Sequence, residues 1–240
     1  MKFKYGAIAL ALLSSVMAFT PTANADKYNN TLDVAYGRGV ATTDGLYSTS
    51  RENDILGLLV DDALFYIDPD SGQPVPLAAK SSRFEDDTTF IVELRDDVTF
   101  HDGSLLTPED VVYSFRHIIS PEGATKFASR IGAWMESVEA SGPHEVTFKL
   151  KQPYAMVHYD LSYYSKLRKK GSYELDGATN PEAQNTLALG TGPYRVTKFL
   201  PGERVELELH SGYRSGSPKA AEIQKIVIRF ILMKPREQLK

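Results

Sequence analysis

The side chains with the greatest chemical reach in this sequence are five histidines, a basic run and a crowd of tyrosines. His101, His117, His144, His158 and His210 are scattered, and none pairs with an acid or a second imidazole at metal-ligand spacing. His101-Asp102-Gly103 reads as a strand-end turn, with Gly103 supplying a permissive backbone. Gly190-Thr191-Gly192-Pro193 has the look of a phosphate loop. It lacks the Lys-Ser/Thr that must follow, lacks the third glycine of a dinucleotide fingerprint, and spends one backbone donor on proline. A tight turn entering a strand at Tyr194 is the better reading. Lys166, Arg168, Lys169 and Lys170 form a basic run that reads as a solvated face. No serine sits in a Gly-x-Ser-x-Gly elbow, and no spacing isolates a pair of carboxylates. The residues therefore offer no catalytic group, no metal site and no cofactor site. Tyr154, Tyr159, Tyr163 and Tyr164 crowd one segment and Trp134 is the single tryptophan. Such rings serve ligand pockets as well as ordinary cores.

The compartment is written in the first residues. Lys2 and Lys4 precede an apolar run over 6–19, Pro21 breaks it, and Ala23-Asn24-Ala25 is a small-x-small cleavage site. That order is a secretory signal peptide over 1–25. The run is about 14 residues, short of the ~20 needed to span a bilayer. With no cysteine, the exported chain has neither disulfides nor a lipid attachment point. A free periplasmic protein is expected. Its net charge of −4 becomes more negative once Lys2 and Lys4 are removed, which disfavours a nucleic-acid partner.

The elements that must position these residues follow from periodicity. Residues 32–36 alternate as a strand ended by Gly37 and Gly39. Residues 55–65 carry apolar positions at helical spacing, interrupted at Asp62. Asp68-Pro69-Asp70-Ser71-Gly72 is a turn cluster. Phe90, Val92 and Leu94 alternate as a strand, and Val98 and Phe100 continue it as a second short strand or a bend. Thr107-Pro108-Glu109-Asp110 opens a helix: threonine to cap, proline at the first position, acids at the positive dipole end. Val111, Val112, Phe115, Ile118 and Ile119 give that helix one apolar face. Val146–Phe148–Leu150, Val205–Leu207–Leu209 and 226–231 are further strands. The sum is a mixed α+β fold.

Three blocks in order carry a resemblance. The first is Phe90-Ile91-Val92-Glu93-Leu94-Arg95-Asp96-Asp97-Val98-Thr99-Phe100-His101-Asp102-Gly103, preceded by Pro76-Leu77-Ala78. The second is Leu106-Thr107-Pro108-Glu109-Asp110-Val111-Val112-Tyr113-Ser114-Phe115. The third is Gly190-Thr191-Gly192-Pro193-Tyr194-Arg195-Val196, with Pro201-Gly202-Glu203 and Gly212-Tyr213-Arg214 after it. Together, behind a signal peptide, they resemble the family-5 periplasmic solute-binding proteins that feed ABC importers. Two positions depart from that pattern. Thr43-Asp44-Gly45 stands where Leu-Asp-Pro is common, and Ser211-Gly212-Tyr213-Arg214 where a tryptophan follows an Asp-Tyr pair.

The resemblance implies a two-lobed, periplasmic-binding-protein type II-like fold that closes on its ligand. Family members are about twice this length, so the expectation is an N-terminal portion: first-lobe segments at 26–45 and 155–240, an inserted subdomain at 46–154, and the second lobe missing. It implies a monomeric receptor that captures small peptides and hands them to an ABC permease complex in the inner membrane. Nickel chelates, haem, opines and oligosaccharides are alternative ligands of the same fold. A secreted hydrolase or a periplasmic chaperone is the alternative of another class. Ligand-facing residues are expected in the loop after the first strand, at Tyr36, Gly37, Arg38 and Gly39, and in the aromatic segment bounded by Phe127 and Trp134. Arg38 has the geometry to hold a carboxylate in a bidentate pair.

Overall fold

The computed structural model describes residues 30–176 and 178–231. The expected signal peptide and the last nine residues lie outside the described residues. In chain order the elements are β1 (Thr31–Tyr36), α1 (Arg51–Val60), β2 (Phe65–Ile67), β3 (Pro74–Pro76), β4 (Ala79–Asp86), β5 (Thr89–Leu94), α2 (Pro108–Ile119), α3 (Ala128–Trp134), β6 (Met135–Gly142), β7 (Glu145–Leu150), α4 (Val157–Tyr163), β8 (Glu174–Leu175), β9 (Ala178–Thr179), β10 (Tyr194–Leu200), β11 (Arg204–Leu209) and β12 (Lys225–Phe230). The mixture of helix and short strand is as expected.

Two four-stranded sheets organise two cores. The first has the order β1-β12-β11-β10, with β1 and β12 parallel and the other pairs antiparallel. Leu56 and Val60 of α1 pack with Val205, Leu207, Ile226 and Ile228 of this sheet. The second is fully antiparallel, β4-β5-β7-β6. Phe90, Phe100, Phe115, Trp134 and Phe148 fill its core, with α2 and α3 against the sheet. β5 is buried on both faces except at Glu93, because it is a central strand covered on both sides.

α2 begins as the sequence predicts. Asp110 N–H donates to the Thr107 hydroxyl at 3.3 Å, and Thr107 N–H donates to the Asp110 carboxylate at 2.8 Å. This reciprocal pair satisfies two of the orphan donors of the first turn. Two expectations change. The helix expected over 55–65 runs from Arg51 to Val60 instead. The Ser50 hydroxyl caps it by accepting from Asn53 N–H, and Asp61 and Asp62 stop it because both carboxylates are claimed elsewhere. Val98 and Phe100 are buried in a loop held by one bridge, Thr99 to Leu105, so neither lies in a strand.

Candidate functional site

Parallel strands aim their carboxyl ends at one edge of a sheet, where open α/β sheets place ligands. Here β1 and β12 end together at Tyr36 and Phe230, and Ile231 N–H donates to the Tyr36 carbonyl at 2.8 Å. The chain leaves that edge as Gly37, Arg38 and Gly39. Arg38 is exposed and in no ion pair among the described residues; Gly39 lies beside Gly202 and the Phe230 ring. The Tyr36 phenol is raised from its ordinary range by burial and by the Glu52 charge, with Arg51 opposing. The charges in the first turn of α1, Glu52 and Arg51, therefore act on that phenol.

The same turn borders a small cavity. About 280 Å³ in volume, it is lined by Thr49, Asp54, Lys126, Phe127, Tyr163 and Tyr164, with Arg130 beside them. Lys126 reaches back to α1, donating to Asp54 and to the Ser48 carbonyl, and its ammonium lies 4.8 Å from the Phe127 ring centre. The Tyr163 phenol is pushed up to about 12 by burial and by the Asp54 carboxylate. The arrangement offers aromatic faces, two cations and a carboxylate around one concavity. That set suits a zwitterionic or amide-rich solute.

The expected residues separate in this geometry. Phe127 lines the cavity, while none of Tyr36, Gly37, Arg38 and Gly39 does. Trp134 does not line the cavity. It is 2 % exposed, stacked on Tyr154 at 5.7 Å, and its indole N–H donates to Asp160 at 2.9 Å. Asp160 in turn takes a forked pair of hydrogen bonds from Arg130. The tryptophan is thus a strut beneath the arginine, because a large ring on the inner face of a short helix is drawn into the core. Sequence reasoning missed Arg130, Lys126 and Asp54; their signal, isolated charges among aromatics, is weak without the fold.

Beneath the site lies a buried ionic cluster that corrects the reading of the basic run. Lys169 and Lys170 are partly or well exposed, but Lys166 is 5 % and Arg168 0 % exposed. Arg168 donates to Asp44 at 2.8 Å, to Asp61, and through Nε to the Tyr173 hydroxyl at 3.1 Å. Burial opposes its charge, but Asp61 and Asp44 hold it protonated well above its ordinary range. Burial pushes Lys166 down to about 8. Asp62, also fully buried, accepts from Arg214 at 2.9 Å, Lys219 at 2.8 Å and Tyr213 at 3.1 Å. Arg168 and Asp62 are tolerated there because they are paired and hydrogen-bonded, while Lys166 lies in the field of Asp61 with its ammonium 5.8 Å from the Tyr163 ring centre. They tie the 36–44 loop, the end of α1 and the segment after α4 into one frame.

The glycines of 190–193 press against the same frame. Gly192 N–H donates to the Val60 carbonyl at 2.9 Å, and a Cβ at Gly192 would stand 2.5 Å from the Val60 carbonyl carbon. The turn reading of this motif accounts for its glycines by close approach, with no phosphate required. Among the described residues, no group of three or more His, Cys, Asp or Glu is placed to hold a metal ion. No described helix is long and apolar enough to cross a membrane.

Comparison with known proteins places this geometry. Residues 73–238 match the family model "Bacterial extracellular solute-binding proteins, family 5 Middle". The chain is 24 % identical over 176 residues to the oligopeptide-binding protein AppA of Bacillus subtilis, covering 72 % of this chain and 32 % of AppA. It is 26 % identical over 197 residues to SapA of Escherichia coli, described as a probable ABC transporter periplasmic-binding protein, covering 70 % and 35 %. Among solved structures, NikZ from Campylobacter jejuni in complex with Ni(L-His) aligns with a TM-score of 0.73 and 26 % identity, over 85 % of this chain and 39 % of NikZ. The chain spans about a third of the length of the curated relatives it matches.

Proposed function

Because the chain belongs to the bacterial extracellular solute-binding proteins of family 5, we propose that its described residues frame one wall of a solute-binding cleft, and that the solute is a short peptide. The carrying observation is the first turn of α1, where Asp54 lines the Phe127 cavity with Lys126 and Tyr163 and Glu52 acts on the Tyr36 phenol at the end of β1. A ligand lying across that turn meets main-chain groups at the end of β1 and side-chain groups at Lys126, Arg130 and Tyr163. Extended peptides are recognised by that combination of main-chain hydrogen bonds and side-chain pockets. AppA, named for oligopeptide binding, supports the peptide over other solutes.

On this reading the protein is a monomeric receptor, freed into the periplasm by cleavage after Ala25 and carrying no lipid. It delivers its ligand to an inner-membrane ABC permease and performs no covalent chemistry. On the same reading the described residues within 26–45 and 155–240 belong to the first lobe and 46–154 to the inserted subdomain, with α1 crossing over to pack on the first-lobe sheet.

The test is a heteronuclear NMR titration of the exported chain with di- and tripeptides, and separately with nickel–histidine and an opine. Peptide-induced shifts should centre on 36–39, 51–54, 126–130 and 163–164, and Tyr163→Ala, a change at a partly exposed ring, should abolish them. Shifts produced by nickel–histidine or the opine but not by peptide would reassign the solute. Peptide shifts elsewhere would sink the site.

A further inference from the structure

The ionic frame beneath the site leaves one cation over. Asp44 and Asp61 close on Arg168, Asp62 on Arg214 and Lys219, and Asp54 on Lys126. Lys166 is 5 % exposed, yet it enters no ion pair and no hydrogen bond among the described residues. Asp61, the carboxylate whose field it feels, lies beyond ion-pair distance and is already held by Arg168. Buried charges are ordinarily paired, because a lone one keeps its desolvation cost without a compensating partner.

The ammonium is covered but not sealed. The fully enclosed side-chain atoms without a hydrogen bond are, among the described residues, Asn53 Oδ1, Ser172 Oγ and His210 Nδ1. The Lys166 Nζ is not one of them, so it reaches accessible space while its stem stays buried. Two glycines make room for that stem. A Cβ at Gly45 would stand 3.6 Å from the Lys166 Cε, and one at Gly57 of α1 would stand 3.8 Å from Nζ. Gly57 lies about one helical turn beyond Asp54, which lines the Phe127 cavity. The Tyr163 ring belongs to that cavity as well, and its centre is 5.8 Å from the ammonium. The surroundings favour an added anion. Burial is the main cause that lowers the Lys166 pKa to about 8; Asp61 opposes it, and the cations Lys219, Arg168 and Lys126 add to it.

We infer that Lys166 anchors the carboxylate of the solute. The terminal carboxylate accepts from the ammonium and completes the charge of the frame, and the residue that bears it lies at the Tyr163 side of the Phe127 cavity. This rests on the reading of that cavity as the peptide site, and it gives the site a polarity: the C-terminus of a short peptide meets Lys166.

The test is calorimetry and lysine-resolved NMR of the exported chain with trialanine, trialanine amide and N-acetylalanine. Trialanine should bind about tenfold more tightly than its amide, the value of one charge-assisted hydrogen bond. The Lys166 Cε resonance should titrate near 8 in the free chain. Trialanine and N-acetylalanine should move that midpoint upward, since a bound anion favours the charged amine, and the amide should not. Lys166→Met should remove the preference for the acid, and Lys166→Arg, which keeps the cation, should retain it. Equal binding of trialanine and its amide, or an acid preference that survives Lys166→Met, overturns the anchor and leaves the peptide site standing. A midpoint raised by N-acetylalanine, with neither tripeptide binding, supports the anchor and removes the peptide reading. A midpoint that no carboxylate moves overturns the anchor in the parent chain, whatever the variants do to folding.

Discussion

His101 sets a pH limit on the stability of this fold. Its Nδ1 accepts from Gly190 N–H at 3.3 Å and its Nε2 donates to the Gly192 carbonyl at 3.1 Å, so the two bonds together specify the neutral ring with the proton on Nε2. A proton added to Nδ1 would face an N–H. It would also place a cation 5.0 Å from the His210 ring and in the field of Arg168, with Asp61 the opposing charge. Burial, the largest cause, lowers the pKa from its ordinary 6.5 to about 4. In the unfolded chain the ring takes up its proton near 6.5, so between 6.5 and 4 the unfolded state binds more protons than the folded one. Stability is therefore fully present above pH 6.5 and is lost as the pH falls toward 4, by roughly 3 kcal/mol in total. His101→Gln keeps a donor for Gly192 and cannot titrate. Urea denaturation at pH 7.5 and pH 4.5 should show a smaller acid loss in the variant than in the parent, by about 2–3 kcal/mol. The comparison between proteins matters, because His117, His158 and His210 are also lowered by burial and titrate in overlapping windows. An NMR titration of the His101 ring gives the direct check. A midpoint near 6.5, or identical acid sensitivity in the two proteins, refutes the reasoning.

Three further outcomes follow from the frame beneath the site. Arg168→Met leaves Asp44 and Asp61 buried without their cation, and should cost about 3–5 kcal/mol in urea unfolding, whereas Lys169→Met breaks only a partly exposed pair with Asp102 and should cost ~1 kcal/mol or less. Gly192→Ala forces a Cβ within 2.7 Å of three backbone atoms of Leu59, Val60 and Asp61 and should destabilise by about 3 kcal/mol, while Gly216→Ala, with nothing within 4 Å, should be close to neutral by thermal melt. Trp134→Phe strips a donor from the buried Asp160 and should cost about 1–3 kcal/mol, with side-chain NMR showing a loosened Arg130.

Local features were the legible ones. Thr107 and Pro108 mark the start of α2 because caps act within one turn, and Gly190 to Pro193 mark a turn because proline and the missing lysine exclude a phosphate loop. Strand β4 escaped notice because Ala79 alone of its eight residues is fully buried, leaving no period of two to read. The basic run was misread for a different reason. Arg168 meets Asp44 across 124 residues of sequence and Asp61 across 107, so nothing near it in the chain distinguishes a buried guanidinium from a solvated one. Long stretches of sequence likewise separate the α1 turn from Phe127 and Tyr163. A residue's type states what it can bind, but whether it meets solvent, core or ligand depends on partners that only the fold brings near. Asp61 and Asp62 make the point most sharply. Asp62 alone reads in the sequence as an interruption of an apolar pattern, and the pair ends α1 where Arg168, Lys219 and the Gly192 turn close on it.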